Sequence, residues 1–123
     1  FSPEDRTENI RRIGEVAKLF AEAGILVITA FISPYKQDRD RIRTIAGDVF
    51  HEVFIEAELS ICENRDPKGL YIKARKGEIS DFTGISAPYE QPTSPELIID
   101  TGNQDIGEST TNLLSYIDEK FRI

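Results

Sequence analysis

The 123-residue sequence has no methionine, no tryptophan, one histidine and one cysteine. The single cysteine excludes an internal disulfide framework and a zinc ribbon, and it is typical of a reducing cytoplasm. No apolar run approaches about 18 residues, so the sequence predicts no membrane span. No signal peptide is visible, and the first residue, Phe1, lies directly before a helix cap. We therefore expect the N-terminus to be a cut rather than a natural start.

Positive charge is also scarce, with 15 basic against 22 acidic side chains and a net charge of −7. This balance argues against nucleic acid as the main partner, because little of the surface would neutralise phosphates. The exception is residues 65–76, which carry five basic side chains and one acidic side chain. This block has two open interpretations: a solvated helix face, or a clamp for a phosphorylated ligand.

Apolar spacing predicts an alternation of helices and strands. A serine cap, a proline and two acids at residues 2–5 predict a helix start, and Gly24 is expected to end that helix. Residues 25–31 are continuously apolar and rich in β-branched side chains, which predicts a strand buried on both faces. A helix followed by a buried strand favours a parallel α/β sheet.

The rest of the chain continues the pattern. We predict helices at 37–47, 59–65 and 70–76, strands at 52–56 and 96–100, and a closing helix marked by Ile106, Leu113, Leu114 and Ile117. Residues 66–95 hold four of the six prolines, so apart from the helix at 70–76 they are predicted to be loop. Loops of this length in compact domains are usually functional or disordered. We call residues 65–95 the lid-like segment.

Three stretches are hard to explain by packing. They are Phe-Ser-Pro-Glu-Asp-Arg at 1–6 with Asn-Ile-Arg-Arg at 9–12, Phe-Ile-Ser-Pro-Tyr at 31–35 with Asp-Arg at 38–39, and Arg-Asp-Pro-Lys-Gly-Leu-Tyr at 65–71 with Phe-Thr-Gly-Ile at 82–85. In this order and spacing, the chain up to about residue 101 resembles the adenylylsulfate kinase (APS kinase) family. The resemblance implies a P-loop kinase-like three-layer α/β/α fold with a parallel sheet. It also implies transfer of the ATP γ-phosphoryl group to the 3′-hydroxyl of adenosine 5′-phosphosulfate (APS).

The resemblance also implies site residues. The substrate-side set is Phe1, Arg6, Asn9, Ile32, Ser33, Lys68, Asp81 and Phe82, and the ATP-side set is Arg65, Thr101 and Gln104. Phe1 and Phe82 would hold the substrate adenine between aromatic faces. Arg6 and Asn9 would contact the phosphosulfate and the ribose, since a guanidinium meets phosphate or sulfate oxygens in a fork. Without the resemblance, these four residues would be assigned to the surface or to packing.

Ser33 follows the predicted strand directly, at the carboxyl end where α/β sheets bind ligands. In the family this serine is the active-site residue, described in some cases as a phosphoserine intermediate, which makes it our candidate catalytic residue. No base lies near it in sequence to activate the hydroxyl. We therefore expect Ser33 and Ile32 to line the substrate pocket. His51 and Cys62 are assigned no catalytic role, and no metal ligand is predicted.

The sequence departs from the family pattern at several positions. Ile72 stands where lysine is usual, Ser80 and Asp81 where lysine and glycine are usual, and Ser86 where aspartate is usual, so the lid-like segment is less basic. The N-terminal strand and the phosphate loop G-x-x-x-x-G-K-[ST] are absent from the sequence. That loop supplies the backbone N–H groups that bind the ATP phosphates and the side-chain hydroxyl that binds Mg²⁺. We favour its omission from this sequence over its loss from the protein.

We therefore interpret residues 1–123 as a partial APS kinase domain, inactive alone, that uses ATP with Mg²⁺. The alternative is a non-catalytic kinase-like domain that binds APS or its 3′-phosphorylated product as a regulatory module. A fragment without a ligand is a third possibility. The resemblance further implies a homodimer, fused to or associated with ATP sulfurylase. The single cysteine favours a cytoplasmic location, and we expect no nucleic-acid or membrane partner.

Overall fold

The computed structural model describes residues 2–121. Its elements, in chain order, are α1 (Pro3–Glu22), α2 (Lys36–Ala46), a 3-10 turn (Gly47–Val49), β1 (Val53–Glu56), α3 (Leu59–Arg65), α4 (Leu70–Arg75), β2 (Leu97–Asp100) and α5 (Ile106–Phe121). β1 and β2 pair in parallel, with Val53 opposite Leu97 and Glu56 opposite Asp100. The predicted α/β class with a parallel sheet is confirmed. The predicted helices and the strands at 52–56 and 96–100 are also present, with small shifts of their bounds.

The predicted strand at 25–31 is wrong. These residues form no strand, and several of their side chains are exposed, among them Ile25 at 51%, Ile28 at 68% and Phe31 at 45%. A strand needs a hydrogen-bonding neighbour, and among residues 2–121 the named strands are paired only with each other. The apolar run fits a buried strand in composition, but composition does not supply the pairing partner.

Helices α1 and α2 pack closely at Gly14, the α1 residue that has no side chain. A Cβ atom built on Gly14 would lie 2.1 Å from Cδ1 of Ile42 on α2. Gly14 is buried in the middle of α1, so the glycine allows the two helix backbones to approach. A polar contact lies beside this packing, since the Thr7 hydroxyl donates to the buried Asp38 carboxylate at 2.9 Å.

The sheet contributes two of the most buried apolar side chains. Ile99 on β2 is 2% exposed and Phe54 on β1 is 9% exposed. Tyr89, from the lid-like segment, stacks on Phe54 with ring centroids 6.2 Å apart. Ile117 places the apolar side of α5 in the core at 8% exposure. The loop and α5 are thereby held against a two-stranded sheet.

Charged groups join α2 to the starts of both strands. Arg43 on α2 donates to both carboxylate oxygens of Glu96 and pairs with Glu52 at 3.5 Å. Glu96 also accepts the backbone N–H of Glu52 at 2.6 Å. The Arg43 hydrogen bond is the main cause that lowers the pKa of Glu96 from 4.5 to about 2. Ionised Glu96 therefore links the residues that precede β1 and β2 to α2.

Within residues 2–121, no helix combines the length and the apolar character that crossing a bilayer requires.

Gly14→Ala should destabilise the protein by about 1–2 kcal/mol, because the new methyl group collides with Ile42 and overpacks the α1–α2 contact. The matched control is Ile42→Val, which removes the Cδ1 atom nearest the new methyl group. In that background Gly14→Ala should be neutral or stabilising, since alanine is favoured over glycine in a helix by about 1 kcal/mol. Urea unfolding of the four proteins checks this. Equal losses in both backgrounds would contradict it.

Glu96→Gln should lower stability at pH 7 by about 1–2 kcal/mol after allowance for solvent screening. The pKa of the folded-state carboxyl is depressed, so its contribution is full above pH 4.5 and is lost as pH falls toward about 2. The variant should therefore show a flatter stability profile across this window, measured by denaturant midpoints. Glu8→Gln is the control. Arg11 and Arg12 also lower the pKa of Glu8 to about 2, but within one solvated helix, so the effect should be smaller.

Candidate functional site

The N-terminus of α1 places Arg6 against the lid-like segment. The Ser2 hydroxyl accepts the Asp5 N–H at 3.1 Å, the Asp5 carboxylate accepts the Ser2 N–H at 3.1 Å, and Pro3 is the first helical residue. These hydrogen bonds also lower the pKa of Asp5. One residue later, Arg6 donates through Nη1 to the Thr83 hydroxyl at 3.1 Å and through Nη2 to the Asp81 carbonyl at 2.5 Å.

Phe82 lies in a tight turn of the lid-like segment. Its N–H donates to the Ser86 hydroxyl at 2.9 Å, and its carbonyl accepts the N–H groups of Ser86 and Ala87. Its ring meets Tyr71 of α4 edge-on, with centroids 5.0 Å apart. Asp81 has a positive φ of 51°, a conformation that Asp tolerates better than most residues. Three members of the predicted substrate-side set, Arg6, Asp81 and Phe82, are thereby brought to one place.

The Ser33 turn, which we define as residues 32–36, joins the apolar run at 25–31 to the first residue of α2. Ser33 has φ 36°, and its hydroxyl lies 3.5 Å from the Phe31 carbonyl. The Ser33 carbonyl accepts from Arg39 Nη1 at 2.7 Å. Glu90 adds two contacts, since its N–H donates to the Pro34 carbonyl at 2.9 Å and its carboxylate accepts the Lys36 N–H at 2.6 Å. The turn is therefore held by α2 and by the lid-like segment.

Sequence reasoning missed the roles of Arg39 and Glu90. Arg39 stood in a quoted motif, but the stretch around it was predicted only to be a helix and Arg39 was given no role, whereas it is 6% exposed. Its place in the quoted Asp-Arg pair, four residues after Tyr35, was the available signal. Nothing in the sequence marked Glu90, because its contacts join positions 51–56 residues away.

Two of the three predicted ATP-side residues lie together beyond β2. Arg65, at the end of α3, donates through Nη2 to the Thr101 carbonyl. The Thr101 hydroxyl and N–H both donate to the Glu56 carbonyl, at 3.0 Å and 2.9 Å. Gln104 follows three residues later and accepts from the Asn112 side chain at 3.0 Å. Arg65 and Thr101 therefore meet near the carboxyl ends of both strands.

The turn between Thr101 and Gln104 has a carboxylate anchor. Asp100 accepts the N–H groups of Gly102 and Asn103 at 3.0 Å and 3.1 Å, and the Asn103 side chain at 2.7 Å. The hydrogen bond from the Asn103 side chain is the main cause that lowers the pKa of Asp100. The turn is thereby fixed at the end of β2.

Asp66 organises the start of α4, where the basic block lies. Its two carboxylate oxygens accept the N–H groups of Tyr71 and Ile72, each at 3.1 Å. α4 begins after Gly69 without a cap from its own N-cap side chain, so Asp66 supplies the missing acceptors. Arg75 then ties α4 back to Glu63 of α3 at 2.5 Å.

The contacts described above do not include the remaining predicted site residues. Asn9 is half-buried on α1, Ile32 is 68% exposed, and Lys68 is exposed just before α4. Phe1 lies outside the described residues. His51 contacts the Tyr116 hydroxyl at 2.5 Å on α5.

A sequence profile described as adenylylsulphate kinase matches residues 1–100 of the chain. The chain belongs to this family. The adenylyl-sulfate kinase of Oceanobacillus iheyensis is 60% identical over 121 residues, which are 98% of this chain and 61% of that protein. The adenylyl-sulfate kinase of Bacillus pumilus is also 60% identical, over 98% of this chain and 61% of its own length. The chain thus spans about three fifths of these relatives.

A solved member of the adenylylsulphate kinase family shares the fold. The APS kinase of Mycobacterium tuberculosis, in complex with AMPPNP and APS, superposes with a TM-score of 0.87 at 43% identity, covering 96% of this chain and 69% of that chain. The likeness therefore extends over nearly all of the chain, including α1, α2 and the sheet.

Asp66→Ala should loosen α4 by about 0.5–2 kcal/mol, because the Tyr71 and Ile72 N–H groups lose their acceptors. Hydrogen exchange at these two amides should accelerate by about twofold to thirtyfold, the factor that this loss of stability corresponds to. Asp105→Ala is the matched control, since Asp105 accepts the Glu108 N–H at 2.8 Å and caps α5 instead. Unchanged exchange at Tyr71 and Ile72 in Asp66→Ala would contradict the assigned cap.

Proposed function

We propose that the protein containing this chain transfers the γ-phosphoryl group of ATP to the 3′-hydroxyl of APS, giving 3′-phosphoadenosine 5′-phosphosulfate and ADP in sulfate assimilation. The observation that carries the proposal is the family match over residues 1–100, with relatives named adenylyl-sulfate kinase. The acceptor oxygen forms a bond to the γ-phosphorus and releases its proton to solvent, while the bond from that phosphorus to the ADP oxygen breaks. Such transfer depends on positioning and charge neutralisation more than on a protein nucleophile.

Arg6 and Phe82 would recognise the sulfate-bearing nucleotide. Arg6 holds the Asp81 carbonyl and the Thr83 hydroxyl, both neutral acceptors. A phosphosulfate group would compete for the same guanidinium through stronger, charge-assisted bonds. The Phe82 ring, one residue from each of these partners, offers an aromatic face for adenine, with Phe1 as the second face. Asn9, one turn from Arg6 on α1, can donate and accept at a ribose hydroxyl.

Arg65, Thr101 and Gln104 would form the ATP side. Arg65 already contacts the Thr101 carbonyl, and its planar guanidinium can stack on adenine or meet phosphate. Lys68 is exposed at the start of the basic block and would approach APS from the lid-like segment.

Ser33 would line the acceptor pocket together with Ile32. Among residues 2–121, the polar contacts of Ser33 go to the Phe31 carbonyl and to the Arg39 guanidinium, and neither is a base. A hydroxyl needs such a base to become a nucleophile. The geometry therefore favours direct transfer between the nucleotides over a phosphoserine intermediate.

The reaction would use Mg²⁺, which neutralises charge on the ATP phosphates when bound. Residues 2–121 do not fit a metal centre by themselves, because no three acidic, histidine or cysteine side chains are grouped as ligands there. We assign no step of the reaction in this chain to the metal. Homodimer formation and association with ATP sulfurylase remain predictions of the sequence resemblance, and a cytoplasmic location remains a prediction from the single cysteine.

Arg6→Ala and Lys68→Ala in the full-length protein should each raise the KM for APS about tenfold or more, because charge-assisted contacts to the anionic substrate are lost. Arg12→Ala is the matched control on the same helix, since the exposed Arg12 side chain pairs only with Glu8 in the described contacts. Its KM should change less than about twofold. The measurement is steady-state kinetics with APS varied at saturating ATP.

The wild-type protein separates the alternatives. Phosphorylation of APS supports the kinase. Binding of APS or its 3′-phosphorylated product in calorimetry, without turnover, would indicate the regulatory module instead. Absence of both would contradict each function. Normal kinetics in both variants of an active enzyme would show that the site assignment is wrong.

A further inference from the structure

Arg39 makes more contacts than a charge pair requires. It is 6% exposed, and its Nη1 and Nη2 donate to the Ser33 carbonyl at 2.7 Å and the Glu90 carbonyl at 2.5 Å. Its Nε lies 3.4 Å from a Glu52 carboxylate oxygen, an ion pair without hydrogen-bond geometry. The Tyr89 ring covers the guanidinium at 5.8 Å. One planar group thus joins α2, the Ser33 turn, the lid-like segment and the residue before β1.

The Ser33 turn needs such support. A serine at φ 36° is strained relative to the usual backbone regions, and strained residues persist where the surrounding contacts determine them. The Arg39 bond fixes the carbonyl of this residue directly. The same guanidinium holds Glu90, whose N–H and carboxylate fix the next residues of the turn, Pro34 and Lys36. Nη1 and Nη2 of Arg39 therefore both support the Ser33 turn, Nη1 directly and Nη2 through Glu90.

We propose that Arg39 is a positioning residue, which sets the conformation of the Ser33 turn and thereby the affinity of the pocket wall for the acceptor nucleotide. Arg39 acts through Ser33 and Glu90, and it does not itself touch a substrate. The inference rests on the proposed function for the identity of that nucleotide. The competing explanation is a buried ion pair with Glu52 that only stabilises the fold.

Arg39→Lys in the full-length protein separates the two explanations. Lysine keeps the charge beside Glu52, but one ammonium cannot reproduce the planar fork that spans two carbonyls. The KM for APS should rise about tenfold or more, because small displacements of a binding wall have large kinetic effects. The KM for ATP should change less than about threefold, and the midpoint of thermal unfolding by only a few degrees.

Arg43→Lys is the matched control. Arg43 lies one helical turn later on α2 and shares the Glu52 carboxylate, but its hydrogen bonds go to Glu96 and Glu52 and not to the Ser33 turn. This variant should lose stability while its KM for APS stays within about twofold of the wild-type value.

Glu90→Ala gives a second measurement that leaves the buried arginine in place. It removes the carboxylate that accepts the Lys36 N–H, and it should raise the KM for APS about threefold with the KM for ATP unchanged. If Arg39→Lys does not fold, this variant decides. An unchanged KM for APS in the folded variants, or equal rises for both substrates, overturns the positioning role. Wild-type protein that neither phosphorylates nor binds APS overturns the proposed function, and this inference with it.

Discussion

The buried guanidinium of Arg39 is the contact on which the arrangement of the candidate site depends. Placing a charge at 6% exposure is costly unless the charge is paired and its N–H groups are bonded. Glu52 supplies the opposite charge, and the Ser33 and Glu90 carbonyls accept from the two Nη atoms of Arg39. Because these groups come from three different parts of the chain, the requirement to satisfy one arginine fixes their relative positions.

A second arginine, Arg6, also joins two segments that are far apart in the sequence. Arg6 joins the start of α1 to the turn at 81–83, and Ser86 closes that turn by accepting the Phe82 N–H. By the sequence resemblance, Ser86 stands where the family usually has aspartate, and both side chains can accept this hydrogen bond. The departure therefore removes a negative charge without removing the turn. Asp81 contributes its carbonyl to Arg6, so the identity of its exposed side chain matters less there than its backbone conformation.

Local sequence signals predicted most of the secondary structure, because the causes are local. The cap and proline at residues 2–3 begin α1 as expected, and β-branched runs mark β1 and β2. The failure at 25–31 has a different cause, since a strand depends on a neighbour that no local pattern reveals. The burial of Arg39 also depends on partners that no local pattern reveals. A buried arginine needs partners, and these are supplied by Ser33, Glu52 and Glu90, which lie far from Arg39 or outside its helix.

In the candidate site, too, residues that lie in sequence motifs were predicted, and residues that act through long-range contacts were not. The motifs identified Arg6, Arg65, Phe82 and Thr101 through the family resemblance, and the structure brings Arg6 beside Phe82 and Arg65 against Thr101. The residues that hold the Ser33 turn were not identified, because a positioning contact leaves no periodicity and requires no particular spacing. Long-range hydrogen bonds to backbone carbonyls are independent of the acceptor's residue type, so sequence carries little trace of them.

The Glu90 carboxylate at the start of α2 also constrains the order in which the protein assembles. α2 has no side-chain cap from its own N-cap residue, Tyr35, and the acceptor for the Lys36 N–H comes from 54 residues later. At a synthesis rate of about 5–20 residues per second, that acceptor emerges some seconds after the helix itself. The Lys36 N–H therefore lacks this acceptor on the nascent chain until the lid-like segment has been synthesised.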